Sequence, residues 1–373
     1  MNPAFVLRAD GDARLGIGHV KRCIALARAL AERGATADIV VRRGDSAVVS
    51  LIEAAAVPMH LLPEATDLAD EAAALDSLAL ASDAGIVLDV SHRETLRQAR
   101  AIPGYFEALA ARFRPLIVID SLHHECLVGG FDIPVDLAVI PYAGAEEQEV
   151  AAAGVRLALG PDYFPLDAAY ARHVGKAREI RADASRVLVT AGGGDAGGIT
   201  EKSLAALQCI DDRKLEVRVV LGPAFTAATR RAIRRRASAS RHRVTHLAAP
   251  GDLAAPMAWC DLAISASGLT KYDFAATATP AVLLSVDPDH AAFHRPFERL
   301  GTAWHLGVAA TVPVPALAAA VRSLLADAGA RGRMSAAGTT VVDGRGMQRT
   351  VDLMLDVAAA TAAAPARRRR LAS

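Results

Sequence analysis

The sequence predicts an α/β chain of two Rossmann-like domains whose parallel sheets face one another across a central cleft, and three observations predict it. Short apolar runs alternate with helical segments along the chain, a pattern that builds parallel sheets with right-handed crossovers. The alternation loosens once, from Tyr142 to Lys176, where Gly144, Gly154, Gly160 and Pro161 gather, and then starts again. The first strand of each half also runs into a glycine-rich turn. On this pattern residues 1–150 form the first domain, 151–355 the second, and 356–373 a disordered basic tail.

In chain order, the strands of the first half are expected at Phe5–Leu7, Ala37–Val41, Gly85–Asp89, Leu116–Asp120 and Leu137–Pro141. Helices are expected over Val20–Arg33, Ser46–Ala56 and Tyr105–Phe113. In the second half the strands fall at Arg186–Thr190, Val217–Leu221, Val244–Leu247, Leu262–Ile264 and Ala281–Ser285. The runs Phe5–Leu7, Ala37–Val41, Gly85–Asp89 and Leu116–Asp120 are mostly Val, Ile, Leu and Ala, as expected of buried strands.

Composition bounds the partners. A chain of 373 residues can bury two cores, and 52% hydrophobic with 22% charged residues is the balance of a globular enzyme. A formal net charge of +1 offers no global attraction to nucleic acid, which is not expected as a partner. Cys23, Cys126, Cys209 and Cys260 are scattered without CxxC spacing, so reduced thiols in the cytoplasm are expected, not zinc or disulfides. No signal peptide is expected, and no charge-free apolar stretch of about 18 residues marks a membrane span. Arg367–Arg370 near the end could touch anionic lipid or nucleic acid, or form a solvated tail.

Asp10-Gly-Asp-Ala-Arg-Leu-Gly-Ile-Gly-His19 joins the first strand to a helix whose apolar positions Val20, Ile24, Ala27 and Leu30 keep helical spacing. It delivers a histidine to a helix start at the carboxyl end of a strand, where open α/β sheets put their chemistry. The positive helix end discourages protonation there. A neutral imidazole can act as a base, so His19 is the candidate general base and Asp10 its catalytic companion. A histidine at this position also serves as a helix cap, and the local pattern leaves both roles open.

Two further loops look built for phosphate. Thr190-Ala-Gly-Gly-Gly-Asp-Ala-Gly-Gly-Ile-Thr200 ends a strand and opens a helix, and Gly192, Gly193, Gly194 and Asp195 are its candidate ligand residues. Gly192, Gly194 and Gly197 formally satisfy GxGxxG, but the next strand runs into Gly222-Pro223 with no acid to hold a ribose, against a dinucleotide site. The second loop, Ala263 to Ala275, offers Ser267, Gly268, Leu269 and Thr270 to a phosphate and Asp273 to a ribose diol. The same Thr270–Asp273 spacing also reads as a capping box. Two such loops in one domain suit a nucleotide diphosphate-sugar better than NAD. The base is expected near His246 and Leu247, and the sugar near Gly16, Gly18, Asp89, His92 and His290. Asp12 and Asp120 end loops or strands on the same edge, whereas His123 and His124 read as surface residues. No cofactor is expected, and no cluster of side chains has metal-ligand spacing.

RADGDARLGIGHVKR, AGGGD, SASGLTKYDFA with the following TPAVLLS, and the late VDGRGMQR together resemble the UDP-sugar hydrolases of pseudaminic-acid pathways. That family is grouped with spore-coat-type polysaccharide proteins and resembles MurG-type N-acetylglucosaminyltransferases in fold. The likeness runs from about Phe5 to about Arg349. It implies a GT-B architecture and hydrolysis of a UDP-activated amino/deoxy sugar in surface-glycan (nonulosonic acid-type) biosynthesis. It puts the water-activating histidine at His19, the nucleotide loop at Gly192–Asp195, the SG-x-T segment at Ser267–Thr270 and the ribose acid at Asp273, a methylene shorter than the family's glutamate. Asp287-Pro-Asp-His290, Asp89-Val-Ser-His92 and the extra stretch Arg93–Arg114 depart from the family pattern where sugar or phosphate would be gripped. A GT-B glycosyltransferase would use the same base on an acceptor hydroxyl, and a non-catalytic sugar-nucleotide-binding protein would not use it at all.

Overall fold

A computed structural model describes residues 2–12, 16–43, 46–63, 68–89, 102–119, 133–147, 154–248 and 252–363. Within them the chain folds into two parallel sheets. The first contains β1 (Ala4–Ala9), β2 (Thr36–Arg42), β3 (Met59–Leu62), β4 (Gly85–Asp89), β5 (Leu116–Ile119), β6 (Leu137–Ile140) and β7 (Arg156–Leu159), in the order β3-β2-β1-β4-β5-β6-β7. The second contains β8 (Arg186–Thr190), β9 (Glu216–Leu221), β10 (Arg243–Ala248), β11 (Leu262–Ala266), β12 (Ala281–Ser285) and β13 (Ala303–Val308), in the order β10-β9-β8-β11-β12-β13.

Thirteen described helices connect and cover these strands: α1 (Gly18–Glu32), α2 (Ser46–Ala54), α3 (Leu68–Asp76), α4 (Ile102–Arg112), α5 (Ala168–Ala171), α6 (Ile199–Gln208), α7 (Ala227–Ser238), α8 (Ala254–Trp259), α9 (Thr270–Ala276), α10 (Pro288–Glu298), α11 (Val314–Ala326), α12 (Ala328–Val341) and α13 (Gly346–Ala363). None of them is long and apolar enough to cross a membrane.

Both sheets reverse their strand order beside their first strand, between β1 and β4 and between β8 and β11. Ligands of open α/β sheets bind outside the carboxyl ends of the strands at that point. All five residues of β4 are buried, as are four of five in β8 and β11, because helices cover both faces of each sheet. One core cluster runs through both halves, joining Val6, Leu88 and Phe106 to Leu188, Met257, Tyr272 and Leu283.

The structure corrects the expected division of the chain. The first sheet does not end by residue 150, because β7 pairs with β6. The last helix returns to the first domain: Met347, Val351, Met354 and Val357 of α13 pack in the cluster that holds Phe5, Leu7 and Leu26. Residues 356–363 continue that helix and are no tail, while Arg367–Arg370 lie outside the described residues. Pattern reading also missed β3, β7 and β13. Two of these are four-residue strands, and β13 mixes Trp304 and His305 among its apolar positions at a sheet edge.

Candidate active site

His19 is the second residue of α1, at the carboxyl end of β1. Ala9 of β1 stands in register with Asp89, the last residue of β4, so the sheet brings the carboxylate beside the histidine. Asp89 Oδ1 lies 2.7 Å from His19 Nδ1. Arg22, three residues along the same helix face, grips Asp89 with both arms: Nε donates to Oδ2 and Nη2 to Oδ1, each at 2.6 Å. Burial opposes the charge on Asp89, but Arg22 and then His19 outweigh it and hold the carboxyl at about 2. An ionised carboxylate can only accept, so the short contact puts the ring proton on Nδ1 and makes Nε2 the acceptor. Arg22 Nη2, 3.2 Å from Nδ1, is a second donor and adds no bond there. Asp89 therefore sets the tautomer; expected on the sugar side, it is instead fully buried with both oxygens engaged by His19 and Arg22.

Asp10 is not that companion. Arg8 holds both its oxygens, Nη1 to Oδ1 at 2.6 Å and Nη2 to Oδ2 at 2.8 Å, and the Arg42 amide donates to Oδ1 at 3.2 Å. Burial works against ionisation of Asp10, yet Arg8 and Arg42 overcome it and keep the carboxyl below its ordinary range. The same two arginines grip Glu71, which also accepts from the Tyr105 hydroxyl at 2.8 Å. Asp10 thus belongs to a buried ionic network at the root of the loop. A charged Arg8 in the middle of an apolar strand was the signal for it, since a buried guanidinium requires partners.

Three glycine-bearing loops converge on His19. A Cβ built on Gly18 would meet Leu269 Cδ1 at 3.1 Å, so the GxGH turn lies against the SGLT loop of the second domain. A Cβ on Gly193 would meet Ile17 Cγ1 at 2.7 Å, which brings the AGGGD loop to the same turn. Gly16 turns the first loop at φ +85°, a conformation that suits glycine, and its backbone pairs with Asp12 across the turn. Gly193→Ala is expected to force these loops apart at a cost of about 1–3 kcal/mol, readable as a loss of stability by thermal unfolding.

The AGGGD loop leaves open space above Gly192 and Gly198. Asp195, at φ +54°, turns its carboxylate onto the first turn of α6 and accepts from the Thr200 amide at 3.2 Å. Burial pushes Asp195 up to about 6 even so. The start of α6 is therefore already engaged, and a phosphate would meet the Gly192–Gly194 backbone instead. Ser267 is turned inward: its Oγ lies 2.7 Å from Ser285 Oγ, which lies 2.8 Å from His305 Nε2. Its hydroxyl braces the second loop from below, and Gly268 faces open space above.

Thr270 is the first residue of α9, with Leu269 at the cap and no side-chain cap bond, so the capping box is not formed. Asp273 is thereby left half-buried in the interior of the junction. Burial pushes its carboxyl up to about 8; Lys21 of the first domain opposes this and Asp167 adds to it. A raised folded-state value stabilises below about pH 4 and costs stability as pH climbs toward 8. Asp273→Asn is expected to raise stability by ~2 kcal/mol at pH 8, discounted for partial hydration, with the gain vanishing near pH 4. Unfolding curves of both proteins across that range check it.

Two remaining expectations are modified. His246 and Leu247 leave β10 on opposite faces: Leu247 packs on the shared core, while His246 Nε2 is buried with no hydrogen-bond partner among the described residues and burial lowers the ring below its usual range. Their side chains thus lie on different faces of the sheet. His290 sits in the first turn of α10, its amide and ring both on Asp287 at 2.9 and 3.1 Å. His92 lies outside the described residues, as do Asp120, His123 and His124. Among the described residues no group of three ligating side chains could hold a metal ion.

Two α/β domains whose loops meet at both switch points form a GT-B-like fold, the fold of the solved structures that superpose on the chain. Over 95% of its length the chain superposes on all of MurG from Acinetobacter baumannii, with a TM-score of 0.61 at 14% identity. The UDP co-structure of MnaA from S. aureus matches with a TM-score of 0.60 at 13% identity, over 95% of this chain and 97% of that one. In sequence, the chain is 28% identical over 206 residues to the spore coat polysaccharide biosynthesis protein SpsG of Bacillus subtilis. That match spans 54% of this chain and 59% of SpsG. No known family profile matches the chain.

Proposed function

We propose that the protein hydrolyses a UDP-activated amino or deoxy sugar at its anomeric carbon, releasing UDP and the free sugar for surface-glycan, nonulosonic acid-type biosynthesis. The observation that carries this reading is the contact of Gly18 with Leu269, which sets the His19 turn against a loop of the nucleotide-type domain. UDP would lie on the second domain, its diphosphate on the Gly192–Gly194 backbone and the Gly268–Thr270 loop and its ribose diol on Asp273. The sugar would then point at His19.

In that complex His19 Nε2 takes a proton from water as the oxygen attacks the anomeric carbon. The C–O bond to the β-phosphate breaks, and its electron pair leaves with UDP. Asp89 stabilises the imidazolium that forms, as an orienting carboxylate does in histidine-base sites. Loop amides receive the charge growing on the leaving oxygen. His19 keeps 16% of its side-chain exposure, so the ring is not sealed from solvent. The resemblance to SpsG supports a place in polysaccharide biosynthesis, and MnaA with UDP supports the choice of nucleotide. The free thiols of Cys23, Cys209 and Cys260 suit the reducing cytoplasm.

A second reading has its own support: MurG shares this fold from end to end, and a glycosyltransferase would aim the same base at an acceptor hydroxyl. Incubation with a panel of UDP-, CMP- and GDP-sugars, without any acceptor, separates the two. Prompt release of UDP from one or more amino or deoxy sugars is the expected result. Release only after an acceptor is added would establish transfer instead.

A further inference from the structure

A buried chain of hydrogen bonds and ring contacts runs from the base into the second domain. The third nitrogen of Arg22, Nη1, donates to the Tyr142 hydroxyl at 2.7 Å. Arg22, Asp89 and Tyr142 are all buried, at 4%, 0% and 3% exposure, so each bond in the chain lies out of water and a missing partner is costly. Tyr142 follows β6 of the first domain, but its ring is seated in the second. It meets Phe293 of α10 edge-on, with centroids 5.0 Å apart, and Tyr272 of α9 at 5.9 Å. The next amide, Ala143, donates to the Tyr272 hydroxyl at 3.0 Å. A Cβ on Gly144 would stand 2.6 Å from Pro296 Cβ, so the segment lies flush against α10. At the rim, Arg299 pairs with Glu147 at 2.9 Å.

We infer that Tyr142 is a positioning residue that ties the docking of the second domain to the alignment of His19. The inference rests on His19 being the base. A shift of α9 and α10 relative to the first sheet carries the Tyr142 ring with it, withdraws the hydroxyl from Arg22 and loosens the guanidinium that fixes both oxygens of Asp89. Asp89 is what holds the proton on Nδ1. The base is therefore set in its working tautomer when the nucleotide-type domain is seated, and slackens when it is not.

The test uses the full chain labelled with ¹⁵N-histidine, the His19 signals being identified by their loss in His19→Asn. Wild type is expected to show a protonated Nδ1 and an unprotonated Nε2. Tyr142→Phe removes one oxygen and leaves the ring in its seat; Phe293→Leu loosens that seat from the second-domain side and changes no first-domain residue. Both are expected to move the His19 nitrogens toward an average of the two tautomers. Tyr142→Phe should also keep the calorimetric Kd for UDP within about twofold. Unchanged His19 nitrogens in both variants would overturn the inference. A change in Tyr142→Phe alone would also overturn it, because the second domain would then transmit nothing. The readout needs no turnover. Failure of the hydrolase reading shows separately, as UDP release that survives His19→Ala.

Discussion

Replacing His19 by alanine is expected to slow UDP release about 10²–10⁴-fold, the usual worth of a general base, and to leave the Kd for UDP nearly unchanged. The split follows from the geometry. His19 belongs to the first domain, and its turn meets the second at Gly18 against Leu269 and at Ile17 against Gly193. The residues proposed to hold the nucleotide all lie in the second domain, from Gly192 onward. The loss should therefore sit in kcat, as for an interaction made only in the transition state. Steady-state UDP release paired with calorimetry for UDP measures both halves. Equal losses in kcat and in UDP affinity would mean that His19 organises the junction and does no chemistry.

The second large effect is at Asp89. Asp89→Asn keeps the shape of the side chain but removes the charge that faces both arms of Arg22 and the Nδ1 of His19. Removing one partner of a buried ion pair costs about 3–5 kcal/mol, because the remaining charge stays buried without compensation. Activity should fall about 10⁴-fold as the ring loses its enforced tautomer. The pH dependence has a definite sign. Arg22 and His19 hold the carboxyl at about 2, below its unfolded value, so its contribution is complete above about pH 4 and disappears as pH falls toward 2. That part amounts to about 2 kcal/mol. The stability gap between wild type and Asp89→Asn should thus be full at neutral pH and narrow on acidification in this window, as followed by denaturant unfolding at several pH values.

Both effects come from residues with different legibility in the sequence. His19, Gly192–Asp195 and Ser267–Thr270 could be read because each follows an apolar strand and opens a helix, and the doubly wound fold gathers such turns at its switch points. Asp89 was visible as a polar end to an otherwise apolar strand, though its bond to His19 was not. Arg22 carried a signal that went unread: it is a charged side chain three residues from His19, on a helix face that also buries Val20, Cys23 and Leu26. Tyr142, Leu269 and Ile17 act through contacts between loops more than a hundred residues apart, and no local period encodes those. Asp10 was misassigned because proximity in sequence to His19 stood in for proximity in space, whereas Arg8 and Arg42 had already engaged it. The chain's end was misjudged for a related reason. Alanine-rich helix and alanine-rich tail look alike until Val351, Met354 and Val357 find the first domain's core.

Turnover in H₂¹⁸O of whichever UDP-sugar releases UDP fastest without acceptor tests the central claim most directly. Water directed by His19 to the anomeric carbon breaks the carbon–oxygen bond, so the released UDP should carry no ¹⁸O by mass spectrometry. Label in the β-phosphate of UDP would mean that water attacks phosphorus, which contradicts the roles assigned to His19 and the facing loops.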